Sequence, residues 1–344
     1  MNRFLARRGE AMPTTIKSVA AAAGVSPATV SRVLNGNTDV GADLRDRVLA
    51  AVSELGYRPN GAARSLRTRA TLVLGIIISD ITNPFFTALV RGMEDAAQEA
   101  GYSVVLANAD EDLGKESRYL EVAAAEQMAG VVLSPASSTQ TRLDVLTERN
   151  IPVVTIDRRI RGAQCDSVTI NNREVSRAAT AHLVEQGCKR IAFVAGPAVT
   201  TTARDRLAGY TAALKDAGRI VDESLIVSGD FRIEGGYEAT RRVLNSRRRP
   251  DGLFISNNLM TIGALDALAE AELSAPGDLA FVGFDDVTWA LGRRAQVTAV
   301  QQPTYDIGRR AATLLLARIK GDESEPHRIV LPAELVLRRS SERT

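Results

Sequence analysis

Residues 14–35 read TTIKSVAAAAGVSPATVSRVLN. Ile16, Val19 and Ala20 recur at helical spacing and predict a short first helix. Ala23 and Gly24 break it, and Val25 anchors the turn. Ser26 stands where an N-cap belongs, and Pro27 follows at the first helical position, where its missing N–H costs nothing. Val30, Val33 and Leu34 then face inward, leaving Thr29, Ser31 and Arg32 outward. This is the layout of a helix-turn-helix whose second helix enters a DNA major groove. An Ala-rich helical hairpin without a DNA role is the plainer alternative.

The flanking residues favour the DNA reading. A third helix is expected from about Ala42 to Leu55, stopping at Gly56. The next stretch, YRPNGAARSLRTRAT (57–71), carries Ala62, Ala63 and Leu66 at helical spacing among arginines. Two turns of helix are marginal alone in water, so this segment reads as a linker that folds against DNA and a partner copy. Residues 1–70 hold 11 Lys/Arg against 5 Asp/Glu, although the whole chain of 344 residues has a net charge of only +2. A basic head on a mildly acidic body suits phosphate contacts confined to the head. Two cysteines, Cys165 and Cys188, make no disulfide framework and point to a reducing cytosol. No apolar run reaches the ~20 residues of a membrane span. Residues 1–13 are expected to be a disordered extension rather than a signal peptide.

From Leu72 the pattern changes. Apolar runs at 72–78, 102–107, 130–134, 152–156, 190–196, 225–229, 252–256 and 279–284 alternate with amphipathic stretches such as 85–100, 173–187, 203–217 and 261–272. A last β-like run covers 329–339. Such alternation predicts parallel sheets covered on both faces. Eight strands in this length suit two doubly wound lobes, with a ligand cleft at the C-terminal strand ends.

With these pieces the chain resembles the lactose-repressor (LacI) family of transcriptional regulators, over nearly everything from Thr14 to Ser341. The resemblance is carried by IKSVAAAAGVSPATVSRVLNG, YRPNGAARSLR, NPFF (83–86), Asp157-Arg158, RLAGY (206–210), SNN (256–258), VGFDD (282–286) and QQP (301–303). It implies a helix-turn-helix DNA-binding domain at 14–57, a hinge helix and linker at 58–71, and a core at 72–344 like periplasmic sugar-binding proteins. The N-lobe is expected at about 72–169 plus 302–331, and the C-lobe at about 170–301 plus 332–344. The implied protein is a cytoplasmic homodimer that sets two heads on a pseudopalindromic operator.

For DNA contact the resemblance singles out Ser26, Pro27, Ala28, Thr29, Ser31 and Arg32. Arg32 can pair bidentately with a guanine edge, whereas small Pro27 and Ala28 offer only apolar contact; a phosphate contact is the alternative role for Arg32. Thr15, Ser31 and Asn35 suit phosphates. In the hinge, Leu66 resembles a minor-groove wedge, with packing between hinge and core as its alternative. Ala63 permits close approach, and Arg58, Arg64 and Arg67 add salt-sensitive phosphate contacts. For the effector it singles out Asn83, Phe85, Phe86, Asp157, Arg158, Arg206, Phe231, Asn257, Asp285 and Gln302. Aromatic plates with fork-shaped polar groups suit a sugar. The set resembles the pocket of periplasmic ribose-binding proteins, so a ribose-like monosaccharide is the expected effector, with no cofactor and no metal. A nucleobase or nucleoside, a sugar phosphate or a protein co-effector would keep the same DNA role. Asp80, Asp110, Ser134 and Trp289 are further candidates, and Asn258 stands where the family usually has Asp.

Enzyme chemistry finds little support. The chain has no G-x-G-x-x-G after the first strand, no Walker A loop, no H-E-x-x-H and no G-x-S-x-G, and its only histidines are His182 and His327. Asp157 with Asp285 could mimic a glycosidase pair. Arg158 and Arg206 nearby are expected to keep both ionised, which suits binding rather than proton donation.

Overall fold

The computed structural model describes residues 15–34, 40–57, 71–292 and 296–343. The expected extension 1–13, nearly all of the hinge segment, and the DNA candidates Asn35, Arg58, Ala63, Arg64, Leu66 and Arg67 lie outside the described residues. The chain divides into two compact units, Met1–Thr71 and Leu72–Thr344.

In the first unit, α1 (Ile16–Ala23), α2 (Pro27–Leu34) and α3 (Ala42–Glu54) pack around Val19, Ala20, Val30, Val33, Val48 and Ala51. Thr15 caps α1 in a reciprocal box with Ser18, satisfying two of the orphan N–H groups of the first turn. Gly24 ends α1 with φ +65°, the left-handed geometry that glycine adopts without steric cost. Arg47 from α3 then donates to the Ala23 carbonyl at 2.6 Å, pinning the turn that sets the angle between α1 and α2.

The second unit begins β1 (Val73–Ile78), α4 (Pro84–Glu99), β2 (Ser103–Asn108), α5 (Leu113–Ala125), β3 (Gly130–Leu133), α6 (Asp144–Thr147), β4 (Val153–Ile156), β5 (Asp166–Ile170) and α7 (Asn172–Glu185). It continues with β6 (Ile191–Ala195), α8 (Thr201–Asp216), β7 (Ile226–Ser228), α9 (Ile233–Leu244), β8 (Gly252–Ile255) and α10 (Asn258–Glu270). Then come β9 (Ala280–Phe284), α11 (Thr288–Leu291), β10 (Thr298–Gln301), α12 (Thr304–Ile319), β11 (Arg328–Leu331) and β12 (Glu334–Val336).

These strands form two six-stranded sheets, ordered β11-β5-β4-β3-β1-β2 and β12-β10-β9-β8-β6-β7. All pairings are parallel except β12 against β10, so the second sheet is mixed at one edge where wholly parallel sheets were expected. The chain passes between sheets after β5, after β10 and after β11. Helices cover the sheets at close range. A Cβ on Gly308 would stand 1.9 Å from the Leu89 carbonyl, and one on Gly92 would stand 2.0 Å from that of Tyr305. Glycine therefore sets the approach of α4 to α12.

Two strands escape the hydrophobic pattern. β5 opens with a carboxylate, Asp166, that is 2% exposed. Arg318 holds it with two bonds of 2.8 Å, and the His327 amide donates at 2.7 Å. β10, TAVQ, is short and keeps Thr298 buried, its amide donating to Ser340 Oγ at 2.8 Å and its hydroxyl paired with Ser341 Oγ at 2.6 Å. The terminal run read as one β-like stretch divides into β11 and β12, one for each sheet.

Candidate functional site

On the first unit, Ser26 Oγ accepts the Thr29 amide at 3.1 Å, which fixes the start of α2. Pro27, Ala28 and Arg32 are exposed, Thr29 and Ser31 half-buried, and Val30 and Val33 buried. Ala28 and Arg32 stand one turn apart, so they share a face of the helix. Exposed Thr15 lies at the N-terminus of α1.

In the second unit, a cavity opens where the C-terminal strand ends of the two sheets face each other. All ten expected effector residues line it: Asn83, Phe85, Phe86, Asp157, Arg158, Arg206, Phe231, Asn257, Asp285 and Gln302. Asp80 joins them, together with Glu111, Thr202, Asp230 and Arg232, which sequence reasoning did not single out. Trp289 is half exposed and outside the lining, and Ser134 is buried against Ser79 at 3.0 Å. Neither histidine reaches the cavity. His182 Nε2 pairs with Ser341 Oγ at 2.7 Å, and His327 lies beside Ser324.

Strand ends place the polar groups by sharp turns. Asp157 follows β4 at φ +61°, Asp285 follows β9 at φ +64°, and Phe231 follows β7 at φ +68°. Such backbone is uncommon for side-chain-bearing residues and clusters at ligand clamps. Phe85 and Phe86 meet edge to face at 5.0 Å.

Several forks are already committed to the protein. Arg158, 3% exposed, grips Glu111 with bonds of 2.6 and 2.5 Å. Asn257 caps α10 through the Met260 amide and donates to the Phe231 carbonyl, both at 2.9 Å. Arg206 donates Nε to Asn172 and Nη1 to the Ser256 carbonyl, with its guanidinium 3.6 Å from the centre of the Phe284 ring. An acceptor stays open. Gln302 donates to Asp285 at 2.6 Å, but its Oε1 is buried with no hydrogen-bond partner among the described residues. Arg158 Nε is also buried, but it faces its ion-pair partner Asp157 Oδ2 at 3.3 Å. An unpaired buried polar atom costs ~1–3 kcal/mol, so Gln302 Oε1 favours a ligand that donates to it.

The expectation that arginines hold Asp157 and Asp285 ionised needs correction. Burial dominates and pushes both carboxyls upward, Asp285 to about 6, against the pull of Arg206 on both and of Arg158 on Asp157. Burial opposes the charge on Arg158 too, but Glu111 overrides it and holds the guanidinium above its ordinary value.

The lobes touch across the cavity mouth. Asn258 donates to Asn83 Oδ1 at 2.8 Å, and Arg232 reaches Asp110 at 3.0 Å. The free space left inside is about 30 Å³, room for about two waters. A sugar would have to part these contacts or move the walls.

Residues 15–60 match the profile described as bacterial regulatory proteins, lacI family, and residues 180–341 match the periplasmic binding protein-like domain. The ribose operon repressor of Halalkalibacterium halodurans is 37% identical over 328 residues, covering 95% of this chain and 97% of its own. The chain belongs to the lacI family of bacterial regulatory proteins. A solved complex of the transcriptional regulator CelR with cellobiose is 35% identical, with a TM-score of 0.73, and covers 95% of this chain and 99% of its own. The Lac repressor dimer bound to operator and the anti-inducer ONPF is 27% identical, with a TM-score of 0.84, covering 96% and 99%. Membership makes this lacI-family protein a DNA-binding transcriptional regulator and not an enzyme. No described helix is long and apolar enough to cross a membrane.

Proposed function

We propose that this regulator is a cytoplasmic repressor of sugar-utilisation genes and that a ribose-like monosaccharide, bound between the core lobes, controls its grip on the operator. The observation that carries this reading is the buried acceptor Gln302 Oε1, left without a partner beside Asp285 in a cavity walled by Phe85, Phe86 and Phe231. Ring faces suit the C–H surface of a sugar, and fork-shaped groups suit adjacent hydroxyls. The similarity to a ribose operon repressor supports the pentose.

Two heads are needed for a two-fold operator, and the edge strand β2 offers a surface for a second copy. Val105 and Leu106 on it, and Val122 on α5, are exposed. In this homodimer the sugar favours a lobe arrangement that changes the spacing of the two heads. Ser26, Pro27, Ala28, Thr29, Ser31 and Arg32 start the recognition helix, from which Arg32 reads a base edge, while Thr15, Ser31, Asn35, Arg58, Arg64 and Arg67 hold phosphates. Leu66 enters the minor groove, and Ala63 permits the close approach. Calorimetry of the full chain against ribose, other monosaccharides, cellobiose and purines tests the effector. Saturable heat with ribose, lost in Gln302→Ala, is expected. Heat only with cellobiose or a purine would replace the pentose.

A further inference from the structure

A second cavity, of about 520 Å³, lies beside the first turn of α8. Its size falls within the range of small-molecule sites. Four arginines line it, Arg159, Arg161, Arg204 and Arg328, and its lining holds no carboxylate among the described residues. Thr155, Ser167 and Arg328 are register neighbours across β4, β5 and β11, so they share one face of the sheet. Thr201 and Arg204 close it from the other lobe, and the Arg159 amide donates to Thr201 Oγ1 at 3.1 Å.

The charges in this cavity are poorly compensated. Arg159 meets Asp205 at 3.2 Å. Arg204 spends its fork on neutral groups, the Ala198 carbonyl and Ser138 Oγ, both at 3.0 Å. Arg161 and Arg328 are exposed, and neither side chain makes a hydrogen bond or ion pair among the described residues. Like charges gathered in a concavity repel one another and focus a positive potential. The guanidinium fork matches an oxyanion bidentately, and the hydroxyls of Ser167 and Thr201 can donate to the same oxygens.

We propose that this cavity binds a small metabolite carrying two or more oxyanion groups, phosphate or carboxylate, at a site separate from the sugar cleft. Arg161 and Arg328 supply the principal contacts. Because its walls come from both lobes, occupancy favours the lobe arrangement that brings Thr201 to Arg159.

The test is calorimetry of the full chain with inorganic pyrophosphate and, separately, with citrate, at ionic strength held constant by sodium chloride. Saturable binding of at least one probe is expected, weakened about tenfold or more in the double variant Arg161→Ala/Arg328→Ala. The double variant Arg161→Lys/Arg328→Lys should recover part of the loss. The stronger of the two probes tells phosphate from carboxylate chemistry. The proposal is overturned if neither probe saturates at millimolar concentration. It is equally overturned if the alanine variant binds as tightly as the native chain, since that binding would belong to the basic head.

Discussion

Replacing Glu111 by Gln should expose how far the sugar cleft depends on a scaffold pair. Glu111 grips Arg158 through both carboxylate oxygens, and the two side chains are 21% and 4% exposed. Removing one partner of a buried pair costs ~3–5 kcal/mol. Glu111 touches solvent and the glutamine oxygen still accepts one bond, so the loss should be nearer ~2–3 kcal/mol. For a core of this size each kcal/mol moves the midpoint by ~2–4 °C, which gives a fall of about 4–12 °C. Thermal unfolding of the full chain, followed by circular dichroism, reads the core transition. A double variant, Glu111→Met with Arg158→Met, removes both charges of this pair and should recover part of the loss, the rest reflecting buried Asp157, which loses its ion pair with Arg158 at 3.3 Å. A fall below about 1 °C in the single variant, or a double variant no better than the single, would refute the claim that Arg158 is held by Glu111.

Arg32→Ala should weaken specific operator binding by ~1–3 kcal/mol and relax preference at one base position, while a phosphate-only role would lower affinity evenly across sequences; competition with mutated operators separates the two. Asn258→Asp removes the donor that faces Asn83 Oδ1 at 2.8 Å, a contact the sugar must part, and should strengthen sugar binding by about fivefold, one hydrogen bond's worth, as read by calorimetry. Burial raises Asp285 from its ordinary 3.8 to about 6, so the native state takes up a proton before the unfolded chain does. Its contribution to stability is therefore greatest below about pH 4 and is lost as pH rises through 6. Urea unfolding across that range should show the native chain gaining on Asp285→Asn as pH falls, and a constant difference between them would contradict this.

Much of the fold was legible because local rules agreed with the final structure. Ser26-Pro27 and Gly24 mark the ends of α2 and α1, and near-continuous apolar runs such as LVLGIII mark strands buried on both faces. The ten cleft residues were legible through the family resemblance, most of them polar or aromatic groups close after a strand, with Arg206 inside α8. β5 was not, because its first residue is a carboxylate made tolerable by Arg318, 152 positions later, and by the His327 amide. Glu111 was hidden for a related reason. It sits with Asp110 in a turn at φ +59° and +57°, geometry that sequence signals through Gly or Asn, and its partner Arg158 is 47 residues away. Asp230 and Arg232 flank Phe231, yet only the close approach of the lobes gives Arg232 its bond to Asp110. Pairings across lobes leave no trace in local periodicity.

The decisive measurement is fluorescence anisotropy of a labelled duplex, selected by the purified chain from random sequences, titrated with and without ribose. A selected duplex should bind far more tightly than a scrambled one at moderate salt, and ribose should shift the midpoint by ~5–150-fold. Equal affinity for selected and scrambled duplexes would contradict the assignment of α2 as a base reader. Indifference to ribose and to every other monosaccharide would contradict the assignment of the inter-lobe cleft as the control site.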